Sequence, residues 1–429
     1  MRRRDFLGGT AAALLGTGVL GSLAACGNSG PGGGEQLQLW ALQDAEYQKV
    51  LKPAIDAYNS GAENKIQFTT YVNDAYKQKL QVAMGSPQAP DVFFNWGGGN
   101  LAQFVKAGQV VDLTDRTADL SAAFLPSVLS VGQVDGRQYA LPMNGIQPVI
   151  LYYHKGVFAA AGLHPPKTYE QLLAVVDALK AKGVTPIALP GSQGWTELMY
   201  LEYLLDRVGG PDKFAAIAAG GAGAWSDPAV VRAATMCQEL AKRGAFGANF
   251  ASINYDNSGA SKLFATGKAA MFLMGSWEYS TQLTNNPAFV KDGKLGWLPF
   301  PTVADGAGDP TAVVGNPSNY YSVSASSKHP DTAVDFLKRT LTSESYVQGL
   351  IAAGQVPAVK GVESKLTGTP GAEFTTFTYQ LVSGASSFTQ SWDQALPPSV
   401  GSELLTNLQK LFLSQLTPGE FVAAMGKAR

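Results

Sequence analysis

The sequence predicts an α/β protein folded as two interleaved lobes. Three observations predict it. The opening third alternates strand-like and helix-like stretches, the pattern of a parallel sheet with covering helices. The chain has 429 residues, 45% of them hydrophobic, which is ample for two cores. Two extended, proline-bearing passages, at about 139–148 and 296–303, read as connectors between the same two lobes.

Leu37-Gln38-Leu39-Trp40 alternates as a first strand. Tyr47, Val50, Leu51, Ala54, Ile55 and Tyr58 fall at helical spacing, with Pro53 expected to kink that helix. Ile66, Phe68, Thr70 and Val72 form a second strand. Asn73 or Asp74 is expected to cap the next helix, which ends near Gly85. Asp91–Phe94 is a buried strand, followed at once by Asn95-Trp96-Gly97-Gly98-Gly99-Asn100. Tyr139–Met143 leads into the β-prone run Pro148–Tyr153. Thr168-Tyr169-Glu170-Gln171 has capping-box spacing, and Gly183 stops that helix. The stretch 165–290 reads as mostly helical, apart from a strand at Ala269–Met274. Gly296–Pro301 reads as an extended connector and Tyr320–Ser324 as a strand. Helices follow at about 330–342 and 344–353, and a last one carries Leu404, Leu408, Leu411 and Phe412. Lobe one is expected over 36–143 plus 303–358, and lobe two over 144–302 plus 359–429. The third crossing then falls near 357–361.

The N-terminus is a targeting segment, not part of the fold. Arg3-Arg4-Asp5-Phe6-Leu7 resembles a twin-arginine export signal, and Leu23-Ala24-Ala25-Cys26 resembles a bacterial lipobox. That implies a signal peptide over 1–25, a lipid on Cys26 and anchorage at the outer face of the cell membrane. The glycine-rich residues 26–35 are a flexible tether. Cys237 is the other cysteine, so neither a disulfide scaffold nor a thiolate metal cluster is expected. The formal charge of −1 and the 15% charged content give no basic stripe, which argues against a nucleic-acid partner.

Ligands of α/β sheets bind beyond the carboxyl ends of the strands. Four tryptophans sit at such element ends, beside amides, hydroxyls or carboxylates: Trp96, Trp195, Trp277 and Trp392. An indole offers a flat apolar face and one N–H donor, and a neutral sugar offers flat C–H faces rimmed by hydroxyls. Trp40, Trp225 and Trp297 lack that position and read as packing. Gly97-Gly98-Gly99-Asn100-Leu101-Ala102 formally fits a dinucleotide fingerprint, but it follows the third strand of its unit instead of the first. No G-x-S-x-G elbow is present, and the spacing of His154, His164 and His329 does not suggest metal ligation. No cofactor is expected. A glycan-active enzyme with paired carboxylates stays open as an alternative, as does a binder of another solute, because carboxylate separation lives in space.

With these residues in view, the chain resembles the extracellular solute-binding proteins of ABC importers, within the sugar-binding family typified by maltose-binding protein. Gly267–Met271 before Gly275-Ser276-Trp277, Ala140-Leu141-Pro142, Leu151–Lys155 and Ala333–Leu337 carry the resemblance. The Asn95–Gly99 tip looks most like the actinobacterial branch that binds β-linked oligosaccharides such as xylobiose or chitobiose. The resemblance implies a non-catalytic, monomeric two-lobe clamp that passes sugar to membrane permease subunits. It assigns ligand contacts to Gln43 and Asp44, to Asn95, Trp96 and Gly97, to Gln193 and Trp195, to Trp277 and Glu278, and to Trp392 and Asp393. Asn144, Asn316, Asn319 and Tyr320 are implied near the hinge.

Overall fold

A computed structural model describes residues 36–428. The expected signal peptide, lipidated Cys26 and tether lie outside them. The first lobe opens with β1 (Gln36–Leu42), α1 (Ala45–Asn59), β2 (Lys65–Tyr71), α2 (Asn73–Met84), β3 (Val92–Asn95) and α3 (Gly98–Lys106). In β1 alternate residues Leu37, Leu39 and Ala41 are buried, as period-2 patterning requires. The Asp44 carboxylate accepts from the Tyr47 N–H at 2.9 Å and caps α1, which runs unbroken through Pro53. Neither Asn73 nor Asp74 caps α2. Val72 holds the cap position without a side-chain bond, and the two polar residues are the first helical ones.

The chain then crosses from β4 (Leu141–Pro142) into β5 (Gln147–His154), the buried centre of the second lobe's sheet. That lobe adds α4 (Tyr169–Ala181), β6 (Thr185–Ala188), α5 (Gly194–Gly209), α6 (Pro228–Lys242), β7 (Ala269–Gly275), α7 (Trp277–Asn285), β8 (Leu295–Leu298) and β9 (Val313–Asn316). The Thr168 hydroxyl caps α4 by accepting from the Gln171 N–H. β10 (Tyr320–Val323), α8 (Pro330–Thr340) and α9 (Glu344–Ala352) return to lobe one. α10 (Ala372–Ser383), β11 (Phe388–Gln390), α11 (Trp392–Ala395) and α12 (Pro398–Phe412) complete the fold described here.

The two larger sheets have strand orders β2-β1-β3-β10-β4 and β11-β9-β5-β7-β6, with β8 also paired to β5. Each has its own buried apolar core. Two connectors differ from the sequence expectation. Residues 295–298 are a strand, antiparallel to β5 with Leu295 opposite His154. β9 pairs with β5 and β11, so the return to lobe one falls at 317–319 and not near 303. Val362 and Leu366 pack in the first core and Phe374 in the second, so the last crossing comes after 358. Prolines marked extended backbone correctly, but strand pairing decides which lobe a strand joins.

The crossings are stitched together by amides. Asn144 Oδ1 accepts from the Asn319 N–H at 3.0 Å and from the Ser318 hydroxyl at 3.2 Å. Asn319 Nδ2 donates to Gln147 Oε1 at 2.9 Å, and the Gly145 N–H donates to Gln355 Oε1 at 3.1 Å. Asn144→Ala leaves the buried Asn319 N–H without its acceptor. A loss of about 1–3 kcal/mol is expected, read by urea denaturation.

Candidate functional site

A cavity of about 330 Å³ lies between the lobes, within the range of small-molecule sites. The carboxyl ends of β1 and β3 open onto it from lobe one, and α5, α7 and the 391–394 turn from lobe two. The chain ends of parallel strands leave backbone and loops free to face a ligand there.

Nine of the expected residues line it: Gln43, Asp44, Trp96, Asn144, Trp195, Trp277, Asn316, Asn319 and Asp393. The indoles differ in what they present. Trp195 and Trp277, both half-buried, sit on the same lobe with centroids 6.3 Å apart and planes at 51°. Tyr255 meets the Trp195 ring edge-on at 5.5 Å. A Cβ on Gly275 would lie 2.0 Å from the Trp277 ring, so the indole is laid against bare backbone. Trp96 is only 7% exposed. It is wedged between Phe94 and Tyr76, at 4.9 and 6.0 Å, with Lys77 Nζ 5.0 Å from its ring centre. Its role as an open stacking face is therefore smaller than the sequence suggested.

Six expected residues stand behind the cavity wall. Asn95 builds the tip: its Nδ2 donates to the Ser322 hydroxyl and its Oδ1 accepts from the Gly97 N–H. Gly97 has φ 72°, and a Cβ there would lie 2.6 Å from the Val131 carbonyl oxygen. Gln193 links the lobes, donating to Asp74 Oδ2 at 3.0 Å and accepting from the Tyr255 N–H at 2.7 Å. Glu278 is fully buried and accepts from Tyr255, Ser261 and Gln282, so it fixes Tyr255 from behind. The Tyr320 hydroxyl donates to the Val128 carbonyl inside lobe one. Trp392 turns into the second core, stacked on Phe214 at 4.5 Å and 5°. Its neighbour Asp393 faces the cleft instead. Successive helical residues point about 100° apart, so one turn cannot show both.

The sequence reading missed Lys77, Gln147, Tyr255, Asp256 and the methionines Met143 and Met199, all on the cavity wall. Tyr255-Asp256-Asn257-Ser258 is a turn-forming cluster that interrupts the helical middle, and that signal was there to be read. Lys77 pairs with Asp393 across the cleft at 3.1 Å. Asp44 and Asp256 are raised above the usual carboxylate range, chiefly by burial. Among the described residues no cluster of three or more His, Cys, Asp or Glu is placed to hold a metal. None of their helices is long and apolar enough to cross a membrane.

Two α/β lobes joined by several crossings, with a polar and aromatic cleft between them, define a solute receptor of the clamp type. The chain belongs to the family described as bacterial extracellular solute-binding protein, which matches residues 43–348. Members serve ABC importers as receptors and are not enzymes. The diacetylchitobiose binding protein DasA of Streptomyces coelicolor is 29% identical over 378 residues, 83% of each chain. The multiple sugar-binding protein of Streptococcus mutans is 30% identical over 328 residues, 74% of this chain and 73% of that one. A solved structure from work on xylan utilization by Caldanaerobius polysaccharolyticus has a TM-score of 0.82 at 28% identity, covering 91% of this chain and 99% of that one. A chitin oligosaccharide binding protein gives 0.80 at 28%, covering 91% and 97%.

Burial pushes the Glu278 carboxyl up to about 7 from its ordinary value of 4.5. Between those values the folded chain keeps a proton that the unfolded chain has lost. This group's contribution to stability therefore falls as pH rises through that window and levels off above about 7. In Glu278→Gln the decline in melting temperature from about pH 5 to 7 is expected to be shallower. Asp206 and Glu197, pushed up by burial to about 7 and about 9, and Glu202, also raised by burial, contribute to the decline that remains.

Proposed function

We propose that the protein captures a neutral, β-linked oligosaccharide, such as a xylo- or chito-disaccharide, and delivers it to a permease. The observation that carries this is the half-buried pair Trp195 and Trp277 beside a wall of amides, hydroxyls and carboxylates. The indole faces suit sugar C–H surfaces. Asn316 Oδ1, Asn319 Oδ1 and Trp195 Nε1 are buried and have no partner within the protein, so a ligand's hydroxyls find two acceptors and a donor there. Asp44, Asp256 and Asp393 face the cavity against the one lining cation, Lys77, among the described residues. That balance disfavours anionic solutes such as a sugar phosphate. DasA and the chitin oligosaccharide binding protein support a chito-oligosaccharide, and the neighbour from xylan utilization supports a xylo-oligosaccharide.

The same reading places the receptor at the outer face of the cell membrane, held as a monomer by a lipid on Cys26 after export. Sugar that bonds to both lobes favours their closed arrangement, because only that arrangement makes all of the contacts.

Titration by tryptophan fluorescence is expected to show saturable binding of xylobiose or N,N′-diacetylchitobiose and none of sn-glycerol 3-phosphate. Trp277→Ala is expected to weaken the sugar's Kd by about 5- to 150-fold, the equivalent of about 1–3 kcal/mol for a lost stacking face. Tight binding of the phosphate, or an unchanged Kd in a folded Trp277→Ala protein, would overturn the assignment.

A further inference from the structure

Helix α5 buries four ionisable side chains that no ligand contact accounts for: Glu197, Glu202, Asp206 and Arg207. Two of them share a face with the cleft. Trp195, Met199, Glu202 and Asp206 follow one another at spacings of four, three and four, which aligns them along one side of a helix. The first two line the cavity. The last two grip the segment beside it. Glu202 Oε1 accepts from the Ser391 hydroxyl at 3.0 Å and from the Trp392 N–H at 2.7 Å. Asp206 Oδ2 accepts from the Thr389 hydroxyl at 3.3 Å.

The gripped segment is the wall of the cleft that meets both lobes. Ser391, Asp393 and Gln394 line the cavity. Gln390 Nε2 donates to the Trp96 carbonyl at 2.7 Å, Lys77 pairs with Asp393 at 3.1 Å, and Asn100 Nδ2 donates to Gln394 Oε1 at 3.0 Å. β11 adds three ladder residues, Phe388–Gln390, and α11 is a single turn. Besides that ladder, the Trp392 ring stacked on Phe214 and the Ser391 N–H bond to the Gly315 carbonyl hold the stretch, but neither fixes the Ser391 hydroxyl or the Trp392 N–H. A fully buried carboxyl is a poor stabiliser compared with an apolar residue of the same size. Its two bonds to consecutive residues do what an apolar residue cannot, which is to set where those residues stand.

We propose that Glu202 is a positioning residue for ligand binding: it holds segment 389–394 in the place from which Ser391, Asp393 and Gln394 reach the ligand. Glu202 Oε2 is buried without a partner, and both of its accepted bonds end on Oε1. Burial pushes this carboxyl up, towards its protonated form, with Asp393 and Asp206 adding to the effect. A glutamine keeps the one oxygen that works. A leucine fills the volume and removes both bonds. The proposal rests on the reading of the cleft as the sugar site.

The test uses the full-length protein, with xylobiose and N,N′-diacetylchitobiose as titrants, beside amide hydrogen exchange on the peptide spanning 388–395. Glu202→Gln is expected to bind within about threefold of wild type. Glu202→Leu is expected to lose tenfold or more in Kd, with faster exchange confined to that peptide. Equal affinity in wild type and a folded Glu202→Leu, or equal losses in both variants, would overturn the proposal. Should wild type bind neither sugar, the assigned ligand falls while the exchange comparison still decides the anchoring. Faster exchange in Glu202→Leu alone upholds it, and unchanged exchange sinks it. Should Glu202→Leu fail to fold, Ser391→Ala is read by exchange in its place: faster exchange over 388–395 supports the anchor and none refutes it.

Discussion

Everything in the cleft depends on the amide stitching at the chain crossings. Asn144, Gln147, Ser318, Asn319 and Gln355 bind the crossing strands side by side, through side chain and backbone. Met143 and Ile146 add backbone bonds to Asn319 and Val356 on either side. Each lobe has its own core, so lobe stability does not decide how the lobes face one another. The crossings do, and they place Asn144, Gln147, Asn316 and Asn319 on the cavity wall. The same side chains thus join the halves and line the cleft. That is an economical way to couple occupancy to lobe position, because a contact that reorients one of these amides acts on the connectors directly.

Much of this was legible in the sequence. Period-2 and period-3.6 patterning gave β1, α1 and β2, because each has one face buried in a single core; Gly85 marked the end of α2, and β3 was legible as a short apolar run buried on both faces. The tip after β3 was legible because glycine and asparagine clusters have few other uses. What failed did so for spatial reasons. Trp392 has the same neighbourhood in sequence as Trp277, polar and at an element's start, yet Phe214 claims its ring. Glu278 carries a charge beside a cleft tryptophan but turns inward to three donors. The facing of a residue within one turn depends on a phase that a short motif does not set. Lys77 was invisible for a different reason: α2 reads as an ordinary amphipathic helix, and only the opposite lobe gives this lysine a partner.

Burial of charge is concentrated on the second lobe. Glu197, Glu202, Asp206 and Glu278 are all buried there, and burial raises each carboxyl. Glu202 and Glu278 end on segments that shape the cleft. Carboxyls in such places cost stability unless hydrogen-bonded; Glu202 bonds to Ser391 on the wall, and Glu278 bonds to Tyr255 on the wall and to Ser261 and Gln282 in the interior. Stability and shape of the site are therefore set by partly separate groups.

The lobes touch one another directly as well as through any occupant. Lys77 with Asp393, Gln193 with Asp74, Gln390 with the Trp96 carbonyl and Thr284 with Glu46 all span the gap. Any opening of the lobes has to part these links. Part of the barrier to escape is then a property of the protein and common to every guest. Residence time and equilibrium affinity need not rise and fall together from one guest to the next.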